Sequence, residues 1–252
     1  MKIYNHIKST IDEKGSAFFI LLDPDKVDFF RLEDFIKVAE DSGVDGFLIG
    51  GSLIISGDFE SLIQKVKSYT KLPAIIFPGS ITQVSQYADA ILFISVISGR
   101  NPEHLIGKQV LAAPLIRKAN IEPLSTGYIL VDSGTTTTAV YISGSLPVPR
   151  NKPDIAAATA LAAEYLGMKF IYLEAGSGAQ LSVPNDMIKA VSKVCSIPII
   201  VGGGLRHPKD VVEKVSAGAS VIIVGNFFEE EKNWSSIKDF ADATHHKKGI
   251  IV

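Results

Sequence analysis

The side chains able to do chemistry gather in a few short stretches, each directly after an apolar run. Leu22-Asp23-Pro24-Asp25-Lys26 sets two carboxylates just beyond Ala17–Leu22. Paired oxygen ligands suit Mg²⁺, which keeps several waters and bridges to substrate phosphates. The plainer alternative is an Asx-Pro turn with solvated charges. Gly202-Gly203-Gly204, followed by His207-Pro208 at a helix start, and Gly225-Asn226 have the make-up of phosphate-binding turns. Glycine lets the backbone approach an anion, and N–H groups at helix starts point towards it. A dinucleotide fingerprint is not met: the third glycine is missing, and the run lies late in the chain.

Between these turns lies Tyr172-Leu173-Glu174-Ala175-Gly176-Ser177-Gly178. Tyr172 and Glu174 are two apart along a strand pattern, so both project from one face. A phenol and a carboxylate converging in this way suit a polyol. The phenol hydrogen-bonds, and the carboxylate takes a hydroxyl proton. The plainer alternative for Glu174 is a salt bridge at a rim. Gly50-Gly51-Ser52, Pro78-Gly79, Ser95 and Asp132 complete the set of run ends.

These groups need a scaffold that brings many run ends to one place. Eight short apolar runs recur: Ala17–Leu22, Gly46–Ile49, Ala74–Phe77, Ala90–Val96, Gly127–Val131, Lys169–Leu173, Ile197–Val201 and Ser220–Val224. They are nearly continuous rather than alternating, as strands buried on both faces must be. Helical patterns lie between most of them: Leu32–Asp41, Phe59–Tyr69, Ile155–Leu166, Asn185–Val194, Pro208–Ser216 and a last one near Ser235–Ala243. The pattern predicts a single (β/α)8 TIM-barrel domain over residues 1–252, and the chain's length allows about 31 residues for each of eight units.

An internal repeat supports this. Gly43 and Gly50 are seven apart, as are Gly218 and Gly225, and each pair brackets a helix end, a turn and a buried strand. The third copy starts at Gly167 but ends on Glu174, which puts a carboxylate at a strand's C-terminal tip. Barrel enzymes carry their chemistry there. Two units are irregular. Ile81–Tyr87 is too short for an ordinary crossover helix, so the third βα unit departs from the pattern. Ser133–Pro153 holds Thr135–Thr138, a short β-like Ala139–Ser143 and three prolines, and reads as an insertion over the barrel mouth after strand five. Pro114 predicts a break within the helical Pro102–Ala119.

Composition excludes several classes. Hydrophobic residues make up 46 % and charged residues 21 %, which excludes a disordered chain. A net charge of −2 without basic runs argues against nucleic-acid binding. The single cysteine, Cys195, forms no internal disulfide; it reads as a packing residue in a cytoplasmic protein. No apolar stretch approaches the roughly 20 residues of a membrane span, and the polar Met1–Lys14 is unlike a signal peptide. His6, His104 and His207 stand alone, and His245-His246 reads as a solvated, Lys-rich end. No zinc-hydrolase, serine-nucleophile or Walker motif is present.

The motifs together resemble the geranylgeranylglyceryl phosphate synthases, the (β/α)8 prenyltransferases related to the PcrB proteins. Leu22–Lys26, Gly50–Ser52, Tyr172–Gly178, Val201–Arg206 and Gly225-Asn226 carry the likeness along almost the whole chain. Ser98–Pro102 and Ile155–Gly167 look like the family's second group, whose members are commonly higher oligomers. The resemblance implies attack of the C3 hydroxyl of sn-glycerol 1-phosphate on C1 of geranylgeranyl diphosphate, giving an ether and diphosphate. It assigns Mg²⁺ to Asp23 and Ser52. It assigns glycerol phosphate to Tyr172, Leu173, Glu174, Ala175, Gly176, Ser177, Gly178, Gly203, Gly204, Gly225 and Asn226. Glu174 becomes the catalytic residue, and a homo-oligomer, a dimer or an assembly of the hexamer-of-dimers type, is implied.

Asp25 and Lys26 receive no role. An apolar trench for the prenyl chain has candidate walls in Phe77, Tyr87, Phe93, Ile97 and Tyr128; donor length is not set by these residues. On residues alone two alternatives stay open: another phosphate-binding barrel enzyme acting on a sugar phosphate, and a barrel that binds a phosphorylated ligand without catalysis. Lys26 and Lys169 are poorly placed for the Schiff base an aldolase would need.

Overall fold

A computed structural model describes residues 2–245. Eight parallel strands close a barrel in sequence order. They are β1 (Ala17–Leu22), β2 (Gly46–Gly51), β3 (Ala74–Pro78), β4 (Ala90–Val96), β5 (Glu122–Leu130), β6 (Phe170–Glu174), β7 (Ile199–Gly202) and β8 (Val221–Val224). The helices are α1 (Lys2–Lys14), α2 (Leu32–Asp41), α3 (Phe59–Tyr69), α4 (Lys108–Ala119), α5 (Thr138–Ser143), α6 (Pro153–Tyr165), α7 (Asn185–Val194), α8 (Pro208–Ala217) and α9 (Ile237–Thr244). The predicted barrel is the fold observed.

Strand alternation divides the core into two layers. Phe19, Leu48, Ile75, Leu92, Phe170, Tyr172 and Ile223 fill the barrel interior. Phe18, Ile20, Phe47, Ile49, Ile171, Leu173 and Ile222 face outward, beneath the helices. Gly43, Gly167 and Gly218 follow α2, α6 and α8 with φ of +94°, +81° and +119°, the left-handed stop that only glycine adopts cheaply.

The polar N-terminus forms a helix that the residue pattern did not reveal. Ile7 of α1 is buried in the interior layer, and Ile3, Tyr4 and Ile11 pack beside it. The Tyr4 ring meets Phe170 edge-on at 5.4 Å. Glu122 at the start of β5 accepts the Ile3 N–H at 2.8 Å, which satisfies an orphan donor of the first turn. α1 therefore closes the end of the barrel opposite the strand tips.

The third unit is irregular, as anticipated: only turns join β3 to β4 among the described residues. Gln83 Oε1 accepts the Gly79 N–H at 2.9 Å and shapes this turn. β3 is left without a following helix of its own, whereas β4 is followed by α4. The insertion after β5 is present too, but Ala139–Ser143 is helical rather than β-like. Ala139 and Val140 pack against the interior layer, and this tertiary contact outweighs local β propensity.

The expected break at Pro114 does not occur. α4 runs through it, and the irregularity falls upstream, in a π turn over Glu103–Gly107. Pro114 and Val110 both lie on the exposed side, so water replaces the lost backbone bond. Nor is His245 solvated: its Nε2 meets Asp45 Oδ2 at 2.8 Å, because α9 ends against the start of β2. His246 lies outside the described residues.

Candidate active site

The strand tips surround a cavity of about 530 Å³. Asp23 comes from the end of β1, Gly50, Gly51 and Ser52 from β2, Phe77 from β3 and Tyr128 from β5. Tyr172, Glu174, Ser177 and Gly178 line it from β6 and its loop. Gly203, Gly204 and Arg206 follow β7, and Gly225 and Asn226 follow β8. Nearly every predicted site residue thus reaches one chamber. Leu173 and Ala175 do not line it; their side chains lie in the outer layer, because alternate positions of a strand face opposite ways. Gly176 contributes through its backbone.

Glu174 is 5 % exposed and is no rim salt bridge. Its Oε1 accepts the Gly176 N–H at 2.6 Å. The phenols of Tyr172 and Tyr128 stand beside the same carboxylate, one from β6 and one from β5, and favour its charged form. Burial raises Glu174 above the ordinary carboxylate range, while these three groups pull it back towards the charged form. Both tyrosines are held well above their usual range, by burial first and by the Glu174 charge second, so they stay protonated. The Tyr172 ring stacks on Phe77 at 5.6 Å and meets Tyr128 edge-on at 5.0 Å. Tyr128, expected as a groove wall, thus also faces the carboxylate.

Backbone makes up the far wall. Gly203 has φ +86°, and a Cβ there would sit 2.6 Å from Glu174 Oε1 and from the Gly176 nitrogen. No side chain fits between the β6 and β7 loops. Ser177 Oγ donates to Asn226 Oδ1 at 2.7 Å and ties the β6 loop to the 3₁₀ turn Asn226–Glu229 after β8. Arg206 Nη2 donates to the Ala179 carbonyl at 2.9 Å. Arg206 and Lys232 are the cations lining the cavity among the described residues. Arg206 belongs to the Val201–Arg206 motif, where sequence alone gives it no role. Its signal was a lone cation four residues past Gly202. An anion set here meets the glycine backbone after β7 and β8 and a guanidinium, a favourable setting for phosphate.

Asp23 and Ser52 line the same cavity from neighbouring strands. Asp23 Oδ1 accepts the Asp25 N–H at 3.0 Å. Burial raises Asp23 above its usual range, with the charge of Asp25 adding to this. A carboxylate and a hydroxyl facing a chamber are hard oxygen donors that fit a magnesium ion completing its shell with water and phosphate. No group of three or more His, Cys, Asp or Glu residues stands together among the described residues, as a caged transition-metal site would require. Asp25 does something else. Its carboxylate accepts the backbone N–H groups of Ile55 and Ser56, both at 2.8 Å, and that of Gly57. Glu229, unforeseen, also lines the cavity; burial and then Asp23 raise its carboxyl.

A second, apolar groove of about 120 Å³ opens beside the first, between β3, β4 and α4. Phe77, Phe93 and Tyr128 line it as predicted, together with Val84, Ile91, Ile94, Ala112 and Ile116. Tyr87 and Ile97 do not. Tyr87 is 44 % exposed on the surface, and Ile97 packs under α6 against Gly127. The groove opens where no helix follows β3, a long-range consequence that no single wall residue signals. Gly51, Ser52, Phe77, Tyr128 and Ala139 line both spaces and form the seam between them.

Comparison with known proteins matches residues 8–244 to the PcrB family. The chain belongs to the PcrB family. Among its PcrB-type relatives, the geranylgeranylglyceryl phosphate synthase of Chitinophaga pinensis is 47 % identical, over 99 % of this chain and 98 % of the relative. That of Methanosphaera stadtmanae is 40 % identical, over 97 % of this chain and all of the relative. The crystal structure of (S)-3-O-geranylgeranylglyceryl phosphate synthase from Thermoplasma acidophilum, in complex with sn-glycerol-1-phosphate, superposes with a TM-score of 0.86 at 30 % identity. It covers 95 % of this chain, and this chain covers 98 % of it. The resemblance carried by the motifs of this PcrB-family chain is met along its length.

Proposed function

We propose that this PcrB-family chain joins the C3 hydroxyl of sn-glycerol 1-phosphate to C1 of geranylgeranyl diphosphate, forming an ether and releasing diphosphate. The observation that carries this reading is the seam, where a polar, phosphate-suited chamber holding a buried carboxylate opens onto an apolar groove. A sugar-phosphate enzyme has no use for the groove. The related synthases and the glycerol-phosphate complex of the Thermoplasma acidophilum enzyme support the same assignment.

Glycerol phosphate lies with its phosphate towards Gly203, Gly204, Gly225, Asn226 and Arg206. Tyr172 and Ser177 orient the hydroxyls, and Glu174 accepts the C3 proton as the ether bond forms. The prenyl chain fills the groove along Phe77, Phe93 and Ile116, which keeps water from the allylic carbon. Asp23 and Ser52 would hold Mg²⁺. When bound, the ion offsets the charge that gathers on the leaving diphosphate.

The proposal extends to a cytoplasmic homo-oligomer. Ile106, Val110, Leu111 and Leu115 leave an apolar surface exposed on and before α4, which suits a second copy. No helix among the described residues is long and apolar enough to cross a membrane. Burial and the neighbouring Glu164 push the Cys195 thiol up to about 11, which fits an inert packing residue in a reducing compartment.

The test incubates radiolabelled sn-glycerol 1-phosphate with a series of prenyl diphosphates, with and without EDTA. Organic-soluble label is expected with the geranylgeranyl donor and Mg²⁺. No such label from any donor rejects the assignment.

A further inference from the structure

Tyr128 occupies the seam and touches both halves of the proposed reaction. It lines the polar cavity and the apolar groove alike, and its phenol stands beside Glu174. The β5–β6 register sets it opposite Tyr172, so two phenols reach one carboxylate from adjacent strands. Phe77 buttresses both rings, at 6.0 Å from Tyr128 and 5.6 Å from Tyr172. Tyr128 is only 6 % exposed, so bulk water scarcely reaches its phenol.

The chemistry makes two demands at this point. In transfer, the C3 oxygen bonds to C1 of the donor as the C1–O bond breaks. The electron pair leaves with diphosphate, and the hydroxyl proton passes to Glu174. If water attacks C1 instead, the products are the prenyl alcohol and diphosphate, with a proton lost to solvent. The carboxylate must therefore be aimed, and water must be kept from the seam.

We propose that Tyr128 is a positioning residue that meets both demands: its hydroxyl aims Glu174 at the C3 hydroxyl, and its ring seals the seam against water. This rests on the prenyl-transfer reading above. Among the described residues the Gly176 amide is the one hydrogen-bond donor to the Glu174 carboxylate, so the phenols beside it are what confine the rest of that group, and removing one leaves it freer to turn. The charged groups lining the same cavity are Asp23 at the end of β1, Arg206 after β7, and Glu229, Glu230 and Lys232 after β8. None of them hydrogen-bonds to Glu174.

Two variants separate the two roles. Tyr128→Phe keeps the ring and loses the hydroxyl. Its kcat for ether formation is expected to fall about 10- to 100-fold, the scale of a hydrogen bond to a charged group. The KM for sn-glycerol 1-phosphate should stay within about twofold, as expected for an interaction that matters in the transition state. The acid limb of its pH profile should move to higher pH, because a carboxylate that loses a phenol favouring its charged form protonates more easily. Tyr128→Leu removes the ring, and a larger share of consumed donor should be recovered as prenyl alcohol.

Wild-type kcat and acid limb in Tyr128→Phe, or unchanged alcohol in a folded Tyr128→Leu, overturn the proposal alone. Absence of ether product from the wild-type chain overturns the reading beneath it, and the proposal with it. If thermal melting shows that Tyr128→Leu does not fold, the near-isosteric Tyr128→Phe decides the matter.

Discussion

Asp25 accepts the backbone N–H of Ser56 at 2.8 Å and its hydroxyl at 3.3 Å, and so ties the turn after β1 to the loop after β2. That loop begins at Ser52, opposite Asp23. These bonds, that of the Ile55 amide foremost, hold the Asp25 carboxyl below its usual range. If Asp23 and Ser52 hold magnesium as proposed, Asp25→Ala should raise the magnesium concentration for half-maximal activity by about 10- to 100-fold, the usual cost of losing a group that orients a metal ligand. Manganese binding followed by electron paramagnetic resonance reads this without turnover. Unchanged binding would separate Asp25 from the metal site.

Glu174→Gln keeps the shape and hydrogen-bonding reach of the side chain but cannot take a proton. Turnover should fall by about 10²- to 10⁴-fold, while glycerol phosphate binds nearly as well. Steady-state kinetics and calorimetric titration with sn-glycerol 1-phosphate test the two halves separately. Unchanged turnover rejects Glu174 as proton acceptor.

Gly203→Ala and Gly178→Ala form a matched pair. Both residues have positive φ, at +86° and +72°. A Cβ on Gly203 collides with Glu174 Oε1 and the Gly176 nitrogen, whereas one on Gly178 meets nothing within 4 Å. Each pays a backbone strain of about 1–2 kcal/mol. Gly203→Ala, which also displaces Glu174, should lose glycerol-phosphate binding more steeply than Gly178→Ala, measured as a larger rise in KM. Equal KM values would remove the packing argument.

At the other end of the barrel, Asp45 is clasped by Lys14 at 2.6 Å, His245 at 2.8 Å and the Phe18 amide at 2.8 Å. Burial pushes its carboxyl up, but the bonds from His245 and Lys14 outweigh this and leave it lowered. A depressed carboxyl contributes stability above its unfolded pKa and loses it as pH falls through the folded value. Melting temperature should therefore drop as pH is taken from about 5 to below 3.8, the ordinary value for this carboxyl. Asp45→Ala should cost roughly 1–3 kcal/mol at pH 7 through the unsatisfied Phe18 amide. It should also flatten that pH dependence. Denaturant titrations of the variant at several pH values provide the check.

Ala112 lines the groove between Gln109 and Ile116 on one face of α4. Ala112→Phe should fill it, raising KM steeply for long donors while sparing short ones. A parallel loss with all donors would mean that the prenyl chain lies elsewhere.

How much of this was legible in sequence follows from the range of the forces involved. Continuous apolar runs, helix-stop glycines such as Gly43 and Gly218, and their repeat spacing are local, so strands and barrel were readable directly. So were Glu174 and the glycines after β7 and β8, because in this fold a strand tip is a site position by construction. Other features arise only when distant segments meet. Met1–Lys14 looked merely polar because its apolar stripe has meaning only against the barrel floor. Ala139–Ser143 became a helix through contact with the interior layer. His245 found Asp45 across two hundred residues. The groove opened where no helix follows β3, and Tyr128 became a neighbour of Glu174 through the β5–β6 register. Sequence by itself determined which residues stand at the strand tips. Only the closed barrel decided which of them share a hydrogen bond, because closure and register set side-chain neighbours that local spacing does not encode.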